Sequence, residues 1–351
     1  MATARRFGIG IFLGLALAAT LGYGQEEAIR PDEKGKDQQY AGTEKDVQLL
    51  TERIRSDDKQ DSTDAQNALE QLIQRRLGKI NGRASVSLHK NKGFRCEVVM
   101  NDESVDDLSF LMGLPITFLE IGDTQVSDLS PLRGMPLTYL HASSTKVSDL
   151  LPLKGMPLVQ LHIEGTRVSS LSALKGLPLT WLDAPRLDIE DLSPVAGMRL
   201  THLNLEGTRV ADLSPLKGMP LTYLVLNQTK VKDLSPLKGM RLTDLFLYGT
   251  EVSDFSSLEG MPLTHLVLSG TSISDLSVLK GMPLTDLDIR ETGVHDLTPL
   301  EGLPLKDCLF DYRKITAGIK VIRQMKGLTK INLEDTDSFW TKYDEWEAEQ
   351  K

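Results

Sequence analysis

The amino-acid sequence predicts an α/β solenoid built from coils of equal length. Glycines from Gly113 to Gly302 recur every 21 residues without a slip, and leucines recur in the same frame. The unit reads L-T-x-L-x-L-x-x-T-x-V-x-D-L-S-P-L-K-G-M, as over residues 221–240. A fixed period of this length is typical of a leucine-rich-repeat solenoid, in which each coil buries its apolar face only against its neighbours. Residues 95–305 are therefore predicted to form an array of about ten such coils.

Each coil is predicted to contain one short strand. Its L-x-L segment alternates with period two, so leucines such as Leu224 point inward while Tyr223 and Val225 point outward. Stacking turns these segments into a parallel β-sheet on the concave face. The threonine that follows each strand, such as Thr229, can hydrogen-bond to backbone groups that the coil buries.

The D-L-S-P-L-K-G segment predicts a short 3₁₀ turn on the convex face, because so small a repeat leaves no room for a longer helix. Ser214 suits the N-cap, Pro215 the first helical position and Gly218 the exit. An aspartate recurs ahead of most turns: Asp107, Asp128, Asp149, Asp191, Asp212, Asp233, Asp254, Asp275 and Asp296. Each is predicted to cap its own turn, and the alternative is a shared calcium ladder.

The repeat resembles internalin-type bacterial leucine-rich repeats, whose coils carry L-x-L-x-x-N-x-I-x-D-I-x-P-L. It departs from them in having threonine for the asparagine and a coil one residue shorter. It is also similar to the D-L-S-P-L-K-G-M-P-L-T repeats of exported bacterial proteins, and K-I-N-L-E-D-T-D-S-F-W at residues 330–340 resembles the segment that closes such arrays. The resemblance covers residues 62–346 and implies binding to other proteins.

The N-terminus predicts export to the periplasm, the cell envelope or the medium. Arg5 and Arg6 precede an apolar run that ends at Gly22, which describes a signal peptide over residues 1–24. The run is shorter than the roughly 20 residues of a membrane-spanning helix. Retention of this segment as an N-terminal anchor is the alternative, and only then would the protein contact a membrane.

The remaining segments are predicted to flank the array. Residues 25–60 are polar and charged, as expected of a linker, with room for a short helix at 45–56. Residues 61–94 are predicted to form an N-terminal cap, and residues 306–351 a C-terminal cap and tail, both with helical parts. A solenoid needs such caps to cover its open ends.

Charge and cysteine spacing exclude two further possibilities. The formal net charge of −9 argues against nucleic acid as a partner, because phosphate binding needs a basic face. Cys96 and Cys308 lie about ten coils apart, or roughly 48 Å at the strand spacing, so they are predicted not to form a disulfide within one monomer. Cys308 occupies a core leucine position and is predicted to be an inert buried thiol.

The sequence contains no motif for catalysis. It has no P-loop, no G-x-G-x-x-G, no H-E-x-x-H, no G-x-S-x-G and no C-x-x-C. We therefore predict that the protein is not an enzyme and has no cofactor.

The outward positions of the concave sheet escape the repeat consensus, and aromatic residues accumulate there. Exposed aromatic side chains beside polar groups are typical of protein interfaces. The predicted partner-binding residues are Tyr139, His141, Gln160, His162, Trp181, Asp183, His202, Tyr223, Phe246 and Tyr248. The alternative is that these rings merely cover neighbouring strands.

A histidine pair and an irregular coil mark this surface. Four titratable residues on successive strands are Glu120, His141, His162 and Asp183. They could bind zinc or make ligand binding depend on pH, but solvated histidines with no metal are favoured. In the coil from Trp181, Pro185 follows the strand and Leu187 replaces threonine, while Ser170 replaces the usual aspartate one coil earlier. Such departures often mark function or a bend.

The sequence thus predicts an exported, non-enzymatic binding scaffold whose concave face recognises a protein partner. One alternative is a structural cell-envelope protein that uses the array as a spacer or assembly surface. Another is a carbohydrate-binding module that contacts a glycan through Tyr139, Trp181 and Tyr223.

Overall fold

The computed structural model describes residues 44–55, 59–77, 84–89, 95–100 and 102–350. The predicted signal peptide and most of the predicted linker lie outside the described residues. None of the helices in the described part of the chain has the length and apolar character needed to cross a bilayer.

The described elements are short strands and a few helices. The helices are α1 (Glu44–Ile54), α2 (Lys59–Leu77), α3 (Ile319–Gln324) and α4 (Thr336–Glu349). The strands are β1 (Ala84–His89), β2 (Arg95–Met100), β3 (Phe118–Glu120), β4 (Tyr139–His141), β5 (Gln160–His162), β6 (Trp181–Asp183), β7 (His202–Asn204), β8 (Tyr223–Val225), β9 (Asp244–Phe246), β10 (His265–Val267), β11 (Asp286–Asp288), β12 (Asp307–Leu309), β13 (Lys330–Ile331) and β14 (Glu334–Asp335).

Within the described residues all of these strands form one sheet, and they follow one another in chain order. Neighbours from β2 to β13 are parallel, whereas β1–β2 and β13–β14 are antiparallel. The register never slips: Leu224 faces Leu203 on one side and Leu245 on the other. The predicted leucine-rich-repeat solenoid with a parallel sheet is therefore confirmed.

The inward leucines form a continuous aliphatic core. Leu224, Leu226 and Leu237 of one coil are fully buried, and the same positions are buried in coil after coil. Each such leucine contributes about 1.5–3 kcal/mol to folding. Because a coil has no other apolar layer, it gains this free energy only when a neighbour stacks on it.

Two columns of threonine hydroxyls satisfy backbone carbonyls. As predicted, Thr229 donates to the Leu226 carbonyl oxygen at 2.7 Å, and the other threonines that follow strands do the same. A second column joins coils, because Thr222 donates to the Thr201 carbonyl at 3.2 Å and so accompanies the strand pairing. This second column was not predicted, although the L-T dipeptide repeats with the coil.

The opposite side of the coils carries the predicted 3₁₀ turns, such as Ser214–Leu216. Asp212 accepts hydrogen bonds from the Ser214 amide and hydroxyl at 2.8 Å, which lowers the pKa of its carboxyl. Gly218 leaves the turn with φ +74°, a conformation that favours glycine. Aspartates of this column therefore cap turns, as predicted, and Ser170 does so through its hydroxyl at 3.2 Å from the Ser172 amide.

Helices cover the two ends of the sheet. In α1, which lies inside the predicted linker, Val47, Leu50 and Ile54 are buried, and the helix packs on α2. We therefore propose that the N-terminal cap begins at α1 rather than at residue 61. At the other end α4 places an aromatic cluster beside the last coils, where the ring of Phe339 contacts that of Phe310 at 5.9 Å.

The two cysteines are free and buried, on β2 and β12. This confirms that they do not pair. Burial raises the pKa of the Cys96 thiol to about 12 and raises that of Cys308 as well, so both stay protonated and unreactive near neutral pH.

Candidate functional site

The outward side chains of β3 to β12 form a surface that we call the sheet face, which the sequence predicts to be concave. Each of these strands turns its middle residue inward and its first and third residues outward. The outward residues of β6, Trp181 and Asp183, are partly exposed, whereas the middle residue Leu182 is buried. Nine of the ten predicted partner-binding residues lie on this face and are partly buried, whereas the tenth, Tyr248, lies in the turn that follows β9 and is exposed.

Aromatic side chains on the sheet face touch one another from β3 to β9. Among the described residues this ring ladder consists of Phe118, Tyr139, His162, Trp181, His202, Tyr223 and Phe246. Phe118 stacks on Tyr139 with ring centroids 4.0 Å apart and planes inclined by 5°. Trp181 stacks on His202 at 4.1 Å and 10°. Gln160 interrupts the first outward column, and the ladder passes through His162 of the same strand instead.

Stacking along the sheet determines what the ladder offers to a ligand. Where two rings lie parallel and about 4 Å apart, each covers a face of the other, so their edges are left for contact. At one end the Arg95 guanidinium covers Phe118, at 4.3 Å from the ring centroid. The ladder therefore presents ring edges at these two stacked pairs, whereas the Tyr139–His162, His162–Trp181 and Tyr223–Phe246 contacts are tilted by 41–48°.

The two tyrosines of the ladder keep their phenol protons. Burial, and then the charge of Glu120, raises the pKa of Tyr139 to about 12. Burial, followed by the charge of Asp244, raises the pKa of Tyr223 to about 12. Both hydroxyls are thus neutral at physiological pH and can donate or accept hydrogen bonds.

The four residues considered for zinc lie on the successive strands β3 to β6 and make separate contacts. His162 Nδ1 lies 3.5 Å from Asp183 Oδ2, but the His141 ring packs over Gly122, where an added Cβ would lie 2.8 Å from the imidazole. No group of three or more histidine, cysteine, aspartate or glutamate side chains in the described ranges has the arrangement for a metal ion. Burial, and then His162, lowers the pKa of His141, and burial raises that of Glu120.

The irregular coil changes the surface and leaves the path of the chain unchanged. Leu187 is buried where other coils place a threonine, and Arg186 adopts φ +60° in the turn after β6. Arg186 pairs with Glu164 of the preceding coil at 2.5 Å and donates its amide to the Glu206 carbonyl at 2.6 Å. The strands β5, β6 and β7 remain in register.

The other end of the sheet face is acidic, and sequence reasoning did not include it in the site. The acidic end consists of Asp244, His265, Asp286, Asp288 and Asp307 on β9 to β12. His265 lies between two carboxylates, with Nδ1 2.7 Å from Asp244 and Nε2 3.2 Å from Asp286. The signal was present in the sequence, since aspartates replace aromatic residues at the outward positions of these strands.

The four carboxylates of the acidic end differ in their hydrogen-bond partners, and Asp244 and Asp286 each accept a hydrogen bond from the threonine that precedes them. Asp288, 2% exposed, accepts two hydrogen bonds from the Arg290 guanidinium at 2.9 and 2.7 Å, which raises the pKa of Arg290. Asp307 Oδ1 is shielded from solvent and has no hydrogen-bond partner. Burial, and then the charge of Asp286, raises the pKa of Asp307.

The fold and this surface define a leucine-rich-repeat solenoid with an aromatic and acidic sheet face. A comparison with protein-family models finds no match, and neither does a comparison with curated protein sequences. Solved structures similar to the chain include internalin C2 from Listeria monocytogenes, 23% identical with a TM-score of 0.34. That match covers 61% of this chain and 80% of internalin C2.

A second similar structure is the functional domain of InlJ from Listeria monocytogenes, whose description notes a cysteine ladder. It is 22% identical with a TM-score of 0.46, and the match covers 66% of this chain and 61% of that domain. Both structures are internalins. The assignment of the fold rests on the chain's own repeat and sheet register.

Proposed function

We propose that this protein is an exported, non-enzymatic scaffold that binds a protein partner through the ring ladder. The observation that carries the proposal is the continuity of the ladder over strands β3 to β9. The solenoid core requires leucine at inward positions only, so nothing in the packing of the coils demands a tryptophan or a phenylalanine outside. Half-exposed aromatic residues are the side chains that dominate binding energy at protein interfaces.

The size of the ladder fits a protein surface. Six strand spacings of ~4.8 Å make a strip of about 29 Å. A protein interface of ordinary size buries about 800 Å² on each partner, a patch of comparable width. The neutral hydroxyls of Tyr139 and Tyr223 add polar groups that can fix the orientation of a partner.

Ring geometry makes a glycan a poorer fit. Sugars pack on open aromatic faces, yet Trp181 lies against His202 and Tyr139 against Phe118, with face-to-face separations of about 4 Å. A structural spacer, in turn, would need no aromatic strip. We therefore favour a protein partner over both alternatives.

Export and the lack of catalysis rest on the sequence. Arg5 and Arg6 before an apolar run are typical of a secretory signal. No catalytic motif occurs in the chain, and the acidic and aromatic residues of the sheet face contain no arrangement of nucleophile and base.

Site-specific photo-crosslinking in envelope and medium fractions of the source cells tests the proposal. A photoreactive phenylalanine at position 248, in the exposed turn that follows β9, should capture a protein, whereas one at position 259, on the 3₁₀ side, should not capture it. Trp181→Ala and Tyr223→Ala should each abolish the capture, and Lys238→Ala on the 3₁₀ side should leave it intact. Capture that survives both aromatic substitutions would refute the role of the ladder, provided that circular dichroism shows each variant folded.

A further inference from the structure

The acidic end of the sheet face holds more negative charge than its own contacts neutralise. Arg290 pairs with Asp288, but the single imidazole of His265 serves both Asp244 and Asp286. Side chains of Asp244 and Asp286 keep 22% and 43% of their surface exposed, so both carboxylates remain open to a ligand.

The excess of negative charge continues on the next strand, β12. Asp307 pairs in register with Asp286, and its Oδ1 is without a hydrogen-bond partner. A buried acceptor in this state costs free energy until a donor reaches it. The cation in register beyond it is the exposed Lys330 on β13, one charge at the edge of an acidic column.

The position of His265 indicates what kind of group fits here. Its two ring nitrogens lie toward carboxylates on the strands at either side. A lysine ammonium or an arginine guanidinium carries several donors and a fixed positive charge, so it can make the same two contacts more strongly.

Acidic residues also flank the ring ladder. The charges that act on the Tyr223 phenol come from Asp244, Asp183 and Glu206, and all three are negative. The part of the ladder around Tyr223 therefore lies beside negative charge. A partner that covers the rings also meets these carboxylates, and like charge on that partner would oppose binding.

We propose that the docking segment of the partner protein is cationic, with apolar side chains on the ring ladder and lysine or arginine side chains at the acidic end, between Asp244, Asp286 and Asp307. This inference rests on the proposed function and adds to it the chemistry and the direction of the bound segment. The net charge of −9 favours the approach of such a partner over long distances.

A random 12-residue peptide library displayed on phage tests this chemistry. Panning against the folded protein should enrich peptides that carry aromatic or aliphatic residues next to two or more lysines or arginines. The affinity of a selected peptide, measured by calorimetry, should fall about tenfold in the double variant Asp244→Asn/Asp286→Asn. Raising NaCl from about 50 to about 300 mM should weaken binding to the parent and have little effect on that variant.

A matched control keeps the total charge equal. The double variant Glu259→Gln/Glu301→Gln removes the same two charges from exposed positions on the 3₁₀ side, and it should bind like the parent. His265→Lys is an independent variant, because it removes no carboxylate but places a permanent cation between Asp244 and Asp286. It should also weaken binding several-fold.

The outcomes separate the two proposals. Selected peptides that are neutral or acidic, or that bind the Asp244→Asn/Asp286→Asn protein as well as the parent, overturn the cationic segment. If those peptides still lose affinity with Trp181→Ala, the ladder keeps its proposed function. Selected peptides that bind Trp181→Ala and Tyr223→Ala unchanged overturn the proposed function itself.

Discussion

The ring ladder and the acidic end lie on one sheet, share one register and rest on the same leucine core, yet they present opposite chemistry. Strand β9 joins them, since its first residue is Asp244 and its third is Phe246. In the ladder the rings contact one another, whereas at the acidic end Asp307 Oδ1 lacks a hydrogen-bond partner and two carboxylates share His265. The repeat therefore sets the spacing of outward side chains and leaves their identity free for recognition.

The largest expected effect tests whether the two regions share one core. Leu224 lies beneath the ladder and Leu287 lies beneath the acidic end, and both leucines are almost fully buried. The two variants to compare are Leu224→Ala and Leu287→Ala. Each substitution should lower the free energy of unfolding by about 3 kcal/mol, because it leaves a cavity between stacked coils. Urea denaturation measures this. A loss at one site but not at the other would show that the two regions do not unfold as one unit.

A smaller effect should distinguish the regions. Trp181→Ala removes the stack on His202 and should cost about 2 kcal/mol of stability, because aromatic contacts add to area burial. Asp286→Asn should leave stability nearly unchanged, since the side chain is 43% exposed. Thermal unfolding of both variants measures the difference. Equal losses would contradict the view that stacking stabilises the ladder while the acidic end is held ready for a ligand.

The sequence predicted the solenoid because its signals are local and repeated. Each coil gives one structural role to its inward leucines, to the threonine after its strand and to the aspartate before its turn. Because the coil is repeated about ten times, these roles can be inferred from the sequence alone. The register of the sheet follows from the constant period, so the placement of Trp181 and Tyr223 on one face was also predictable.

Contacts between outward side chains were less predictable. Whether Trp181 stacks on His202 depends on rotamers, which no periodicity encodes, and the stacking decides that edges rather than faces are exposed. The acidic end was not predicted as part of the site because surface aspartates are common in any protein. Only their contacts in the structure distinguish these aspartates from others. Asp307 became notable only through the absence of a donor at its Oδ1.

The backbone strain of a non-glycine residue with positive φ should be the same in both regions. Relieving this strain should raise the free energy of unfolding modestly. Gln228 near the ladder and Glu291 near the acidic end occupy the same turn position with φ +55° and +57°, where other coils use Gly207 or Gly249. Gln228→Gly and Glu291→Gly should each stabilise the protein by about 0.5–1 kcal/mol, because glycine adopts this conformation without the Cβ clash. Urea denaturation measures both. A gain at only one site would show that the surroundings, and not the repeat, determine the strain.

The smallest expected effect is the dependence of stability on pH, and it should arise from His141, which lies beside the ring ladder. Burial, and then the neighbouring His162, lowers the pKa of His141 below its ordinary value of 6.5. A group with a depressed pKa in the folded state stabilises the protein fully above the unfolded value, and this contribution is lost as pH falls through the folded pKa. Stability should therefore decline slightly between pH 7.5 and 5.5, by less than about 1 kcal/mol because His141 is partly exposed to screening solvent. His141→Gln should reduce the decline and leave the part due to His202, whose pKa burial also lowers, whereas His295→Gln, outside the ladder, should preserve the whole decline. A parent protein whose melting temperature stays constant over this range would mean that the imidazole is as well solvated in the folded chain as in the unfolded one.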